Sequence, residues 1–283
     1  MIRFNSIFRP DLFAGQTIIV TGGGSGIGRA TAHELASLGA HVAISGRKRS
    51  KLDVVCEEIG AAGGSVSAYV GNIRQEDEVK ALFQQVLAER GAVHGLVNNA
   101  GGQFLSPAEM ISLKGWKAVV ETNLTGTFLM CREAFNSFME AHGGVIVNML
   151  MDNWRGFPGM VHSAAARAGI ENMTKTLAVE WARAGVRINA VAPGTIEGSG
   201  LEQYPEVAQK YIEGITTDIP MKRFGTESEV SAVITFLLSP AAAYITGESI
   251  RIDGGYALWR KTWEVPDHDN APQPYEGFVE MDE

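Results

Sequence analysis

Apolar runs of strand length alternate along this chain with longer segments of helical period. "QTIIVT" (16–21) is the first such run, followed by "HVAIS" (41–45), "SVSAYV" (65–70) and "GLVNNA" (95–100). "GVIVNML" (144–150), "RINAVAPG" (187–194) and "ESIRID" (248–253) complete a set of seven. Helix-period segments lie between them near 26–39, 48–62, 75–90, 112–141, 163–183 and 226–238. The runs are rich in Val and Ile and do not alternate strictly with polar residues, which describes strands buried on both faces. The pattern predicts one α/β domain over 1–283, a doubly wound Rossmann fold of about seven parallel strands with helices on both faces.

Two stretches break the alternation. Residues 195–225 are long and polar and follow the carboxyl end of a strand, the edge at which open α/β sheets bind ligands. They read as a substrate lid, with an ordinary surface insertion as the alternative. Residues 256–283 show little periodicity and are expected to pack along the surface or on a partner subunit.

Composition narrows the function. The 283 residues carry a net charge of −8 with no visible basic face, so nucleic acid is not an expected partner. No run reaches the length of a membrane span, and "MIRFNSIFRPDLF" has no unbroken apolar stretch of the secretory type. Cys56 and Cys131 show no metal-ligand spacing and read as buried thiols, so no metal is expected and a cytoplasmic location is.

"TGGGSGIG" (21–28) joins the first strand to the first helix. Gly22 permits a tight turn, Gly26 and Gly28 permit close backbone approach, and the helix start offers free N–H groups to a pyrophosphate. Ser25 and Ile27 lie in the same turn. The second strand ends in "SGRKRS" and offers Arg47 and Lys48 where an acid would hold the 2′-hydroxyl of NAD. A guanidinium there suits a 2′-phosphate, so NADP(H) is the expected cofactor. A merely solvated helix start is the alternative reading of those two residues.

With "TGGGSGIG" at 21–28, "NNAG" at 98–101, "TNLTGTF" at 122–128, "RINAVAPG" at 187–194 and "ITGESIRIDGG" at 245–255, the chain resembles the short-chain dehydrogenase/reductase family over nearly its whole length. "NNAGGQFLSPAE", "VHSAAARAG" and the tail "EVPDHDN" look most like the peroxisomal trans-2-enoyl-CoA reductases, with the 2,4-dienoyl-CoA reductases next. The resemblance implies a homotetramer. It also implies cofactor contacts from Asn72 and Ile73 near the adenine, from Asn99, Ala100 and Gly101 near the adenosine ribose, and from Pro193, Gly194 and Thr195 beside the nicotinamide. Asn123 matches the family's active-site asparagine, which holds a water or kinks its helix.

The same resemblance exposes a departure. Family members place Tyr and Lys as Y-x-x-x-K, and here Ser163 and Arg167 stand in those positions. The usual serine falls near Leu150 or Met151. Ketone reduction leaves a strongly basic alkoxide and needs a well-matched acid, which serine and arginine do not supply. Reduction of a double bond conjugated to a thioester leaves a far less basic enolate, which hydrogen-bond donors suffice to stabilise. Ser163, His162 and Arg167, with Asn123, are therefore the expected catalytic residues, and Arg167 doubles as the anchor of the nicotinamide ribose. Gln103 and Phe104 are expected to border the substrate, an acyl thioester with CoA as its carrier.

Plainer readings stand beside these. Ser163 also suits a helix start, His162 a packed loop and Asp152 a turn, though Asp152 could order a proton-donating water. Tyr204 and Tyr211 suit lid packing as well as proton donation, and Glu171 with Lys175 reads as a surface pair. A dienoyl-CoA reductase, a carbonyl reductase using His162 as acid, and a silent cofactor-binding protein are the competing functions.

Overall fold

The computed structural model describes residues 2–152, 154–198, 214–260, 263–268 and 270–281. Its main sheet has seven parallel strands: β2 (Thr17–Thr21), β3 (His41–Gly46), β4 (Ser65–Val70), β5 (Gly95–Asn98), β6 (Gly144–Met149), β7 (Val186–Pro193) and β8 (Ser249–Ile252). Their order is β4-β3-β2-β5-β6-β7-β8, so the strand order reverses between β2 and β5. All seven expected strands are present. The fourth is shorter than its apolar run, because the chain leaves the sheet after Asn98.

Helices α1 (Gly26–Ser37), α2 (Arg49–Ala61) and α8 (Glu227–Leu238) cover one face, and α3 (Glu76–Arg90), α5 (Gly126–Ala134) and α7 (Val161–Glu180) cover the other. Side chains of one strand point alternately into the two layers. Ile18 and Val20 join Leu35 and Ile234, whereas Ile19 joins Phe83 and Met130. Both faces are thus covered, which explains the absence of polar alternation in the sequence.

The helical segment near 112–141 proves to be interrupted. Between α4 (Leu113–Val120), α5 and α6 (Glu140–His142) lie two π turns, Glu121–Thr125 and Phe135–Met139. The first carries Asn123, consistent with an insertion in the helical ladder that re-aims a side chain. α7 begins at Val161, earlier than the apolar period indicated, with Met160 at its N-cap. Cys131 is buried and its thiol pushed up to about 12 by burial, while Cys56 is only half-buried.

The chain ends form an unanticipated ribbon. β1 (Ile2–Phe4) pairs antiparallel with β9 (Phe278–Glu280), in register Phe4 to Phe278. The described tail residues pack on their own chain. His268 bonds the Pro220 carbonyl at 3.0 Å, the Pro272 carbonyl accepts from Arg223 at 3.3 Å, and the Tyr275 carbonyl accepts from Thr226 at 2.6 Å.

Glu34 is the buried pin beneath this ribbon. It accepts hydrogen bonds from Ser6 at 2.8 Å, from Ser231 on α8, and from Tyr275 at 3.4 Å. Burial raises its carboxyl above the ordinary value of 4.5 more than those donors lower it. The folded state therefore binds a proton more readily than the unfolded chain. Stability from this group is present at low pH and is lost as pH rises from 4.5 through the folded value. The melting temperature of wild type relative to a Glu34→Gln variant is expected to increase as pH falls from neutral toward 4.5. A difference that stays flat across those buffers would show that Glu34 titrates as a free carboxyl.

Candidate active site

Gly22 and Gly26 adopt φ of +68° and +61°, a region that only glycine occupies without strain, so the turn after β2 requires them. The Gly22 N–H donates to the Ser45 carbonyl at 2.7 Å, tying the turn to the end of β3. Ser25 is the N-cap of α1, and its side chain leaves the first N–H groups uncapped. Asn99 donates through Nδ2 to the Thr21 carbonyl at 3.0 Å, and the Ala100 N–H donates to Thr21 Oγ1 at 2.9 Å. The β5 loop is thereby fastened to the glycine turn at the point where the strand order reverses. Ile27 packs against the core below. Free N–H groups at the start of a 12-residue helix, reached through a glycine turn, suit a dinucleotide pyrophosphate.

Arg47 and Lys48 stand exposed beyond β3. Asn72 uses its Oδ1 to accept from the N–H and Nε of Arg74, at 3.3 and 3.2 Å. The Ile73 side chain is buried against Gly126, so only its backbone is available to a ligand. Pro193 ends β7, the Gly194 N–H donates to Ile252, and the Thr195 carbonyl accepts from Gly225 at 3.1 Å. Asn153, Tyr204, Tyr211 and residues 199–213 of the expected lid lie outside the described residues.

The residues in place of the Tyr–Lys pair come together at the start of α7. Ser163 is fully buried and lies within the first turn, so it does not cap the helix. Its Oγ donates to Gln103 Oε1 at 2.8 Å and lies 3.5 Å from Met151 Sδ. His162 is also buried and helical, which rules out a loop histidine. Its Nδ1 accepts from the Ser163 N–H at 2.9 Å, which leaves Nε2 as the nitrogen that carries the ring N–H. That Nε2 has no partner among the described residues, and Phe104 packs edge-on against the ring at 4.4 Å.

Arg167 lies one turn further along α7 and is buried. Nη1 donates to the Met149 carbonyl at the end of β6, while Nε has no partner among the described residues. Burial lowers its pKa to about 10, so it is still cationic at neutral pH. No carboxylate among the described residues pairs with it. Asn123 clamps the β5 loop, donating to the Gly102 carbonyl at 2.8 Å and accepting its N–H at 3.1 Å. A Cβ on Gly101 would stand 2.5 Å from Arg167 Nη2 and 2.7 Å from Asn123 Oδ1, so loop, guanidinium and amide meet at one point.

Leu150 and Met151 are both buried beside this cluster, and neither offers a hydroxyl. Asp152 holds the backbone N–H of Trp154, as a turn residue does. It is also buried, and its carboxyl is raised by burial and by Asp253, against the opposing pull of the Trp154 N–H, Arg251 and Arg155. A lone acid after an apolar strand was the only signal for it in the sequence.

The described residues contain no group of three or more potential metal-binding side chains and no helix long and apolar enough to cross a membrane. Family comparison agrees with the geometry. A family model described as enoyl-(acyl carrier protein) reductase matches residues 22–257. A Bacillus subtilis (strain 168) protein named "Probable 2,4-dienoyl-CoA reductase [(2E)-enoyl-CoA-producing]" is 39% identical over 246 residues, covering 86% of this chain and 97% of its own. A glucose 1-dehydrogenase of Gluconobacter oxydans (strain 621H) is 38% identical, covering 88% of this chain and 94% of its own. The solved structure of a citronellol catabolism dehydrogenase from Pseudomonas aeruginosa PAO1 superposes with a TM-score of 0.82 at 57% identity, covering 90% of this chain and all of that one. With the glycine turn, the seven-stranded sheet and these relatives in agreement, the chain belongs to the short-chain dehydrogenase/reductase family of nicotinamide-dependent oxidoreductases.

Proposed function

We propose that this chain is an NADPH-dependent reductase of a carbon–carbon double bond conjugated to an acyl-CoA thioester. Either a trans-2-enoyl-CoA or a 2,4-dienoyl-CoA fits the chemistry, and the name of the Bacillus relative favours the dienoyl form. The observation that carries the reading is the buried cluster at the head of α7. A cation without a carboxylate partner among the described residues and two hydrogen-bond donors, Ser163 and His162, occupy the place of the phenol–ammonium pair.

A nicotinamide cofactor held by the glycine turn and Arg167 would supply the hydride that reduces the far carbon of the conjugated system. Such a reduction places negative charge on the thioester oxygen, where hydrogen-bond donors stabilise it. The Ser163 hydroxyl can turn from Gln103 toward that oxygen, and the unpartnered His162 Nε2–H is a second buried donor beside it. Arg167 contributes fixed positive charge in a low-dielectric setting, where it acts most strongly. Asp152, whose raised carboxyl retains its proton longer than a free aspartic acid, is the candidate to supply or order the proton that reaches carbon. The homotetramer and cytoplasmic location belong to the same proposal.

The test is loss of nicotinamide absorbance with NADPH and a panel of enoyl-CoA, 2,4-dienoyl-CoA and ketone substrates. A methyl-branched isoprenoid enoyl-CoA belongs in the panel because of the Pseudomonas relative's name. Turnover restricted to conjugated thioesters supports the proposal, and turnover of ketones alone would sink it. Cofactor choice is tested separately. An Arg47→Ala variant is expected to raise KM for NADPH about tenfold, the loss of one charge-assisted bond to the 2′-phosphate, and to leave KM for NADH unchanged. Equal changes for both nucleotides would remove Arg47 from the phosphate site.

A further inference from the structure

The tail makes a set of contacts that the reaction chemistry does not use. On one side it is seated by the terminal ribbon. Phe278 of β9 lies beneath the Arg29 guanidinium at 4.6 Å and packs edge-on against Phe4 and His33, each at 5.1 Å. The Gly277 carbonyl accepts from the Asn5 N–H at 2.8 Å, and a Cβ on Gly277 would fall inside contact distance of the Phe4 ring. Ser228, in the first turn of α8, donates to Glu276 at 2.8 Å and accepts from the Gly277 N–H at 3.1 Å.

On the other side the tail holds the stretch that leads into α8. Thr226 Oγ1 donates to the Tyr275 carbonyl at 2.6 Å, and Arg223 Nε donates to the Pro272 carbonyl at 3.3 Å. Arg223 is a junction. Its Nη1 and Nη2 reach Glu229 at 2.9 and 2.6 Å, and Nη1 also donates to the Phe224 carbonyl at 2.9 Å. Gly225 stands between the two residues bound by the tail, and it pairs with the chain leaving β7. Its N–H donates to the Thr195 carbonyl at 3.1 Å, and its carbonyl accepts from the Glu197 N–H at 2.8 Å. The pairing is close, since a Cβ on Gly225 would stand 2.7 Å from Ile196 Cδ1. Thr195, Met221, Arg223, Asp253 and Pro272 surround a cavity of about 410 Å³, so the tail forms one wall of the space that Thr195 borders. An unbroken line of contacts thus runs from the ribbon, through Tyr275 and Pro272, to Arg223, Gly225 and Thr195.

We propose that the tail positions Thr195 for the nicotinamide half of the cofactor, acting through Arg223, Gly225 and Thr226, with the β1–β9 ribbon as its anchor. This rests on the expectation that Pro193, Gly194 and Thr195 face the nicotinamide. The adenosine and pyrophosphate half is the task of the glycine turn and the end of β3, which the tail does not hold in this way. A segment already ordered before binding costs less to order when the ligand arrives, so loosening the anchor should weaken one half of the cofactor site selectively.

The test titrates the full-length protein with two pairs of ligands, NADPH with 2′-phosphoadenosine diphosphate ribose, and NADH with adenosine diphosphate ribose. The second member of each pair lacks only the nicotinamide ring. In Phe278→Ala and in Gly277→Val, Kd for the dinucleotides is expected to rise about tenfold, while Kd for the ring-free ligands stays within about twofold of wild type. Amide hydrogen exchange of the ligand-free variants should quicken at 195–197 and 219–226. Val86→Ala is the control, because it removes buried apolar volume from α3 on the opposite face of the sheet. It should lower the melting temperature without separating the two kinds of ligand. Arg3 and Val279 face each other in the ribbon, so an Arg3→Cys/Val279→Cys pair added to Phe278→Ala should restore dinucleotide affinity when oxidised and lose it again on reduction. Should Phe278→Ala fail to fold, Phe278→Leu is read by the same criteria. Equal weakening of both members of each pair overturns the proposal, as does unchanged affinity for both. A separation that Val86→Ala reproduces also overturns it. Tighter binding of NADH than of NADPH by wild type would sink the cofactor choice proposed above, and the second pair would still decide the role of the tail.

Discussion

Replacing Arg167 by Met is expected to lower kcat/KM by roughly two to three orders of magnitude while raising the melting temperature of the ligand-free protein. The activity loss follows from removing a fixed charge aimed where negative charge develops, a contribution of roughly 10²–10³ in rate at comparable sites. The gain in stability follows from opposing costs. Among the described residues Arg167 is buried with an unpartnered Nε and no carboxylate pair, and burial lowers its pKa to about 10. Burying an unpaired ion costs several kcal/mol even after relaxation, whereas orphaning the Met149 carbonyl costs about 1–3 kcal/mol. Methionine fills similar volume, so the first term is the larger. Arg167→Lys should restore part of the activity by returning a cation, and Arg167→Gln should not. Thermal denaturation and initial rates on the same preparations decide the matter. A Met variant that loses stability, or one that turns over like wild type, would place Arg167 among the structural residues.

Much of this site was legible because its signals are local. The glycines of "TGGGSGIG" announce a backbone conformation, and φ of +68° at Gly22 is the direct counterpart of that signal. Apolar runs at strand length located every strand of the main sheet, because burial on both faces demands them. The spacing of Ser163 and Arg167 placed both on one face of α7, where they stand. What escaped depends on distant partners. The β1–β9 ribbon joins three-residue strands from opposite ends of the chain, too short for any period to show. Glu34 sits within a regular α1 pattern, and only the arrival of Ser6, Ser231 and Tyr275 makes it a buried pin. The π turn at Glu121–Thr125 leaves the apolar period nearly intact while shifting the backbone ladder. Asp152 resembled any acid after a strand until the walls around it and the facing Asp253 were known.

Gly28→Ala, a single added methyl, is expected to weaken nicotinamide dinucleotide binding at least about 100-fold and to cost about 1–3 kcal/mol of stability, the range for overpacking a filled space. A Cβ at this position falls inside contact distance of both Asn99 Nδ2 and the Gly22 carbonyl. Neither neighbour can retreat cheaply. Asn99 is the strut between the β5 loop and the glycine turn, and the Gly22 N–H is fixed to Ser45 at 2.7 Å. Relief of the clash must therefore move the turn whose N–H groups face the pyrophosphate. Gly60→Ala is the matched control. Gly60 lies in α2, and a Cβ there would meet nothing within 4 Å. The same methyl should stabilise that helix by about 0.5–1 kcal/mol, by restricting the unfolded chain and raising helix propensity. Opposite signs for the two variants in thermal melts, with cofactor binding lost only in Gly28→Ala, would tie the turn's geometry to its ligand. If Gly28→Ala binds NADP(H) as tightly as wild type, the close packing of turn, strut and helix has another purpose, and the pyrophosphate must sit elsewhere.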